Sequence, residues 1–415
     1  MAKLKKQDLQ IAKLIELETE RQKTSLEMIP SENHCSPAVR EALGSVLTDK
    51  YAEGYPGKRY YAGLKYYDVL ENLCRDRAKK LFGVPHANVQ PYSGSPANAA
   101  VYMAVCQPGD TVMGMALPMG GHLTHGWKVN FSAKFFKSMQ YGVDEKTHLI
   151  NYDEIEKLAK ENNPKLIFVG ATAYPRIFDW KRLGDIADLV GAYLVADIAH
   201  IAGLVVGGAH PSPVPYVHII TTTTHKTLRG PRGGMIMVTE RGIKKDSELP
   251  QKIDKAIFPG FQGGPHMHQI AGIAVCLKEA SAPAFKKYSS QIVKNAKTLA
   301  EELKKYGFKI ISGGTENHLI LIDLRNKNIA GKEAADLLEE AGITINKNSI
   351  PFDPAPPFKP SGIRMGTPAI TTRGMKEKEM KKIAGWINEV ISNPKSAKKI
   401  RGEIKNLCKK FPLPI

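Results

Sequence analysis

The chain has 415 residues, 42% of them hydrophobic. At about 150 residues per domain that suggests two or three domains with a sizeable core, and it excludes wholesale disorder. Lysine and arginine number 59 against 41 aspartates and glutamates, a net charge of +18 spread along the chain, which fits either a solvated surface or an anionic partner: a phosphorylated cofactor, a polyanionic substrate or nucleic acid.

The N-terminal stretch from about Lys5 to Leu26 spaces Leu9, Ile11, Leu14 and Ile15 as an amphipathic helix would. It has no apolar signal core, and no run of about 18 apolar residues occurs anywhere, so no membrane span is expected. Cys35, Cys74, Cys106, Cys276 and Cys408 are scattered and form no C-x-x-C. Reduced thiols in a cytoplasm are expected, with neither a disulfide frame nor a metal site. From Ile29 to about Arg59 the chain turns rich in Gly, Pro and Tyr, and GYPGKRYYAG reads as a site-serving loop.

Between about 88 and 240, apolar runs alternate with helical patterns. The runs are KLIFVG (165–170), AYLVADIAH (192–200), VHIITTTTHK (217–226) and GMIMVTE (234–240), with LGDIADLVG (183–191) helical between two of them. This is the signature of βαβ units and a mainly parallel sheet, whose ligands bind beyond the carboxyl ends of the strands. From about 281 the pattern becomes a long charged helix, FKIISG, HLILIDL, the helix KEAADLLEEAG, a Pro-rich loop and a basic amphipathic end. The expected organisation is an N-terminal helical arm (1–28), a large α/β domain (29–280) and a smaller α+β domain (281–415).

Five segments carry chemistry. In TTTTHKTLRGPRGG, Lys226 follows a strand that should be buried; it is either a surface lysine or a desolvated amine able to form a Schiff base. Asp197 ends another apolar strand, either as a helix N-cap or as the partner of a cofactor's pyridinium nitrogen. Ser93, Gly94 and Ser95 open an Ala-rich helix, as an ordinary N-cap or as a phosphate seat. His122 and His125 form an H-x-x-H pair with no evident third metal ligand. The better reading is a histidine stacked on a flat ring, with a packed core residue as the lesser alternative for His125. Arg364, in what reads as a tight Gly-flanked bend, could clamp a carboxylate.

Taken together, PSEN (30–33), LTDKYAEGYPGKRYYAG (47–63), TTTTHKT, FPGFQGGP and SGIRMGTPAITTRG resemble the serine hydroxymethyltransferases over nearly the whole chain. The resemblance implies the aspartate-aminotransferase-like fold, with a seven-stranded, mainly parallel sheet in its large domain. It implies pyridoxal 5'-phosphate held covalently on Lys226, with tetrahydrofolate as cosubstrate in the interconversion of L-serine and glycine. Asp197 would bind the pyridinium nitrogen and His122 would stack on the ring, while Thr172 and His200 would meet its phenolic oxygen region. Ser93, Gly94, Ser95 and His225 would surround the phosphate, with Gly263 and Gly264 from a neighbouring subunit. Ser31 and Arg364 would hold the substrate carboxylate. Tyr51, Glu53, Tyr60 and Tyr61 would also come from the partner chain of a homodimer, with Glu53 the acid/base candidate. Leu117, Gly121, Leu123, Asn348, Pro356, Pro357 and Phe358 would contact the pteridine.

The sequence departs from the family's usual pattern at Pro30, Tyr92, Pro96, Pro118-Met119, Thr172 and Phe261, none of them a catalytic group. Two rivals stay open: a folate-independent threonine-type aldolase on the same scaffold, and a basic RNA-binding or regulatory protein. No RNA-recognition signature is visible to favour the second.

Overall fold

The computed structural model describes residues 2–415. Seven strands form the central sheet: β1 (His86–Asn88), β2 (Thr111–Met115), β3 (Lys137–Tyr141), β4 (Leu166–Val169), β5 (Tyr193–Asp197), β6 (Ile219–Thr223) and β7 (Gly234–Val238). Their spatial order is β1-β7-β6-β5-β4-β2-β3. From β3 through to β6 every pairing is parallel, and β7 runs antiparallel to both β6 and β1. Strands β4, β6 and β7 are buried at every position, which is why they read as continuous apolar or threonine runs instead of alternating ones.

A second sheet is antiparallel throughout: β8 (Lys309–Ile310), β9 (Leu319–Asp323), β10 (Asn346–Asn348) and β11 (Gly362–Gly366), in the order β8-β9-β11-β10. It packs with the helices Glu377–Ser392 and Ala397–Lys410 around a separate core that includes Ile320, Ile322, Ile363 and Trp386. The 23-residue helix Pro283–Lys305 feeds both cores, with Phe285 and Ile292 in the larger one and Leu299 and Leu303 in the smaller.

The arm joins the smaller core. Leu26–Glu27 pairs in parallel with Ile343–Thr344, and Leu26 and Met28 are fully buried there. The arm's helix, Leu9–Thr24, differs from expectation, since Ala12 is its one buried residue while Leu9, Ile11, Leu14 and Ile15 all face outward. Its apolar stripe points away from its own chain. Among the described residues the five cysteines are free thiols, and no helix is long and apolar enough to cross a membrane.

Candidate active site

The carboxyl ends of the parallel strands converge on one cavity of about 480 Å³. The loop after β2 brings Leu117, His122 and Leu123, the loop after β4 brings Thr172, and the loop after β5 brings His200. The turn after β6 brings His225 and Lys226. Ser93, Gly94 and Ser95 enter from the start of the helix Gly94–Val105; Ser31, Asn348 and Arg364 close the opposite side.

Lys226 is no surface lysine. Burial pulls its ammonium down from the usual 10.5 to about 8, assisted by the cations Arg364 and Arg232 and opposed by Asp197. An amine in that state is partly neutral near physiological pH and can attack a carbonyl carbon.

Asp197 caps no helix, since the next one, Ala202–Val206, begins after Ile201. One carboxylate oxygen accepts the backbone N–H of Ala199 at 3.1 Å. The other meets His125 Nε2 at 3.0 Å and Asn98 Nδ2 at 2.9 Å. Desolvation opposes ionisation here, but His125, His122 and Asn98 outweigh it and hold the carboxyl well below the usual range. The strand that delivers Asp197 is pressed against its neighbour: a Cβ on Gly170 would lie 2.2 Å from the Asp197 carbonyl oxygen. His125 is buried and stacks on Phe168 with ring centroids 5.1 Å apart, so it is a core residue that also braces Asp197.

Asp197 is also the third group that the H-x-x-H pair lacks in the sequence; ligating atoms of His122, His125 and Asp197 lie within 4.8 Å of one another. They are engaged with each other and with Asn98 and Thr124 through hydrogen bonds, His122 Nδ1 lying 2.8 Å from Thr124 Oγ1. Burial lowers the imidazole of His122 to about 4, so it faces the cavity neutral.

Arg364 departs from the expected bend. It lies in the middle of β11, with Nε donating to Asn346 Oδ1 at 3.1 Å and Nη1 donating to the Thr172 carbonyl. Burial lowers it to about 10, so it remains a cation at neutral pH. Thr172 Oγ1 in turn donates to the Gly121 carbonyl at 3.0 Å, which places Gly121 behind the cavity wall. Glu32, Thr223 and Arg232 also line the cavity and were not picked out from the sequence. Arg232 had a signal, since it lies in the same Gly-rich run as Lys226.

The remaining expected residues gather elsewhere on the chain. Tyr51 and Gly264 line a different cavity, with Tyr92 and His266. A Cβ on Gly263 would lie 3.3 Å from Glu53 Oε1, and one on Gly264 would lie 2.9 Å from the Tyr51 ring. The Tyr51 and Tyr61 rings are 5.7 Å apart, and Tyr51, Tyr60 and Tyr61 are exposed. Tyr92 fastens this cluster, donating from its hydroxyl to the Gly264 carbonyl at 2.7 Å and stacking on His266 with centroids 4.0 Å apart. Pro356, Pro357 and Phe358 form an exposed loop outside the Lys226 cavity.

Pyridoxal phosphate suits the donor set around Lys226. The helix Gly94–Val105 has no side-chain cap on its first N–H groups. His225 Nδ1 is buried without a partner. Free N–H groups and a dipole aimed at one point are what a phosphate requires. Asp197, Lys226 and Arg364 add a charge partner for a ring nitrogen, an amine for an aldehyde and a cation for a carboxylate.

Fold and site together define a pyridoxal-phosphate-dependent transferase with the aspartate-aminotransferase-like architecture. The family model described as serine hydroxymethyltransferase matches residues 4–387. A serine hydroxymethyltransferase from Koribacter versatilis (strain Ellin345) is 57% identical over 413 residues, which cover 99% of this chain and 95% of the relative. The chain belongs to the serine hydroxymethyltransferase family.

Proposed function

We propose that the chain reversibly transfers the hydroxymethyl carbon of L-serine to tetrahydrofolate, giving glycine and 5,10-methylenetetrahydrofolate, in a cavity built around Lys226. The observation that carries this reading is the half-buried, desolvated Lys226, sharing one cavity with an uncapped helix start, the half-buried Arg364 and the folate-side candidates Leu117, Leu123 and Asn348.

When bound, the cofactor supplies an electron sink for the pair left behind as the Cα–Cβ bond of serine breaks. Lys226 would hold it covalently. Ser93, Gly94, Ser95 and His225 would surround its phosphate, His122 would lie against the ring, and Thr172 and His200 would meet its phenolic oxygen. Asp197, kept anionic by His125 and Asn98, would neutralise the ring nitrogen's charge. Ser31 and Arg364 orient serine by its carboxylate, so that the bond to be broken is held in one geometry. Glu53 moves the proton of the serine hydroxyl, with Tyr61 beside it. Leu117, Gly121, Leu123, Asn348 and the 356–358 loop receive the pteridine.

Glu53, Tyr51, Tyr61, Gly263 and Gly264 do not line the Lys226 cavity of their own chain, and this supports a homodimer in which they complete the site of the other copy. The outward apolar stripe of the arm is consistent with burial against a second copy. We assign the chain to the cytoplasm and divide it as 1–28, 29–280 and 281–415.

Assaying serine cleavage with and without tetrahydrofolate tests the reaction. Turnover that depends on folate is expected; equal turnover without it would make the chain an aldolase on this scaffold.

A further inference from the structure

His200 lines the Lys226 cavity, and its Nδ1 lies 3.1 Å from Nε2 of His318. His318 is fully buried beside the start of β9, and its other nitrogen, Nδ1, has no partner. The pair links the carboxyl end of β5 in the large sheet to the smaller sheet across 118 residues of sequence. Burial, reinforced by the cations Lys226 and Arg364, holds both rings neutral: His318 falls to about 3 and His200 well below its ordinary value. Two neutral rings facing each other must share the contact as one donor and one acceptor.

The choice between the two arrangements is set by what each strands in the interior. If His200 donated from Nδ1, His318 would accept at Nε2 and carry its own proton on Nδ1, leaving a buried N–H with nothing to bond. If His318 donates from Nε2, its Nδ1 is a bare lone pair. Buried acceptors are left under-satisfied more readily than buried donors. We propose that His318 is a positioning residue: it donates from Nε2 to His200 Nδ1, fixing His200 as the tautomer that carries its proton on Nε2.

His200 thereby presents an N–H donor to the cavity, suited to an oxygen of cofactor or substrate and unsuited to an ammonium. His318 acts through His200, as an outer partner does when it sets the tautomer of a functional imidazole. The proposal rests on the Lys226 cavity being the active site, but the proton placement it specifies can be read without any turnover.

The test is nitrogen-15 NMR of histidine-labelled protein, with and without pyridoxal phosphate, comparing wild type, His318→Gln and His318→Leu. His200 signals are assigned by their loss in His200→Asn. In the wild-type holoenzyme His200 is expected to show a protonated Nε2 and a bare Nδ1. His318→Gln keeps a donor at the Nε2 position and should preserve this pattern. His318→Leu should mix the tautomers and lower kcat/KM for serine about tenfold, the scale for losing an outer partner of a functional histidine. Because the leucine variant also changes packing, thermal melting accompanies each variant, and rescue by glutamine separates lost donation from lost packing. A proton on His200 Nδ1 in the wild-type holoenzyme overturns the proposal, as does an unchanged His200 pattern in a folded His318→Leu protein. If serine is never a substrate while the tautomer pattern holds, the fault lies with the reaction assignment and not with His318.

Discussion

The Lys226 cavity and the Tyr51–Tyr61 loop are both rich in functional side chains, yet they are built in opposite ways. The cavity is made from strand ends, with Asp197 braced by His125 and Asn98, and Arg364 by Asn346 and the Thr172 carbonyl. The loop presents Tyr51, Tyr60 and Tyr61 to the outside, while its backbone is tied down from beneath. Arg59 donates to the carbonyls of Ala52 and Gly54 at 2.7 and 2.8 Å and pairs with Asp68 and the buried Glu71. Gln90 ties the Gly54 carbonyl to Glu71 as well. One region is a formed cavity, whereas the other, in the proposed homodimer, presents its side chains to the cavity of the second copy. On that proposal a single chain holds all the chemistry without assembling it.

The comparison breaks most sharply at Lys226. Lys226→Ala should abolish serine turnover and the visible absorbance of the bound cofactor, while circular dichroism stays unchanged. A coloured, active variant would move the covalent site elsewhere. On the presenting surface, Glu53→Gln should keep the cofactor bound and the protein coloured but slow serine cleavage by about 10²–10⁴, the range for a positioned acid or base. Steady-state kinetics with spectroscopic cofactor titration separates the two effects.

The supports come next. Glu71→Ala should destabilise the protein by about 3–5 kcal/mol in urea unfolding, because it removes one of the two carboxylates paired with the buried Arg59 guanidinium and the acceptor of a Gln90 amide N–H. A change within error would mean the loop is held by other contacts.

The smallest effect runs the other way. Lys226→Met should stabilise the cofactor-free protein by up to about 3 kcal/mol at neutral pH, since burial lowers the amine from 10.5 to about 8. The unfolded chain binds that proton more tightly, so wild-type stability gains from this group as pH rises from about 8 to 10.5, and the Met variant should lack that slope. Asp197 has the opposite sign, its depressed carboxyl contributing stability above about pH 4 that is lost as the pH falls further.

What the sequence disclosed follows the same division. Strands β4, β5, β6 and β7 were legible because burial on both faces demands unbroken apolar or β-branched runs. Strand β2 was not, since TVMGM carries a glycine and two methionines, and β3 was not, since KSMQY is a half-exposed edge. The glycine beside Arg364 suggested a bend, yet a Cβ on Gly362 would lie 2.6 Å from Ile350 Cγ2 and 2.7 Å from the Ile322 carbonyl. That glycine permits close strand packing. Lys226, Asp197, His122 and Arg364 stood out by residue type at a strand end or among small residues. Asn98 and His318 did not, because what they do depends on which strand lies beside which, and sheet order is set by long-range packing. The roles proposed for Glu53 and Tyr61 came only through family resemblance, for neither lines the Lys226 cavity of its own chain.

The central claim is that each functional site joins Lys226 of one copy to Glu53 of another. Mixing Lys226→Ala and Glu53→Gln proteins, each inactive alone, under conditions that exchange subunits tests it directly. Random pairing makes half the dimers mixed, each with one intact site, so serine turnover should return to about a quarter of wild type. A mixture that stays inactive after exchange is verified would contradict the account.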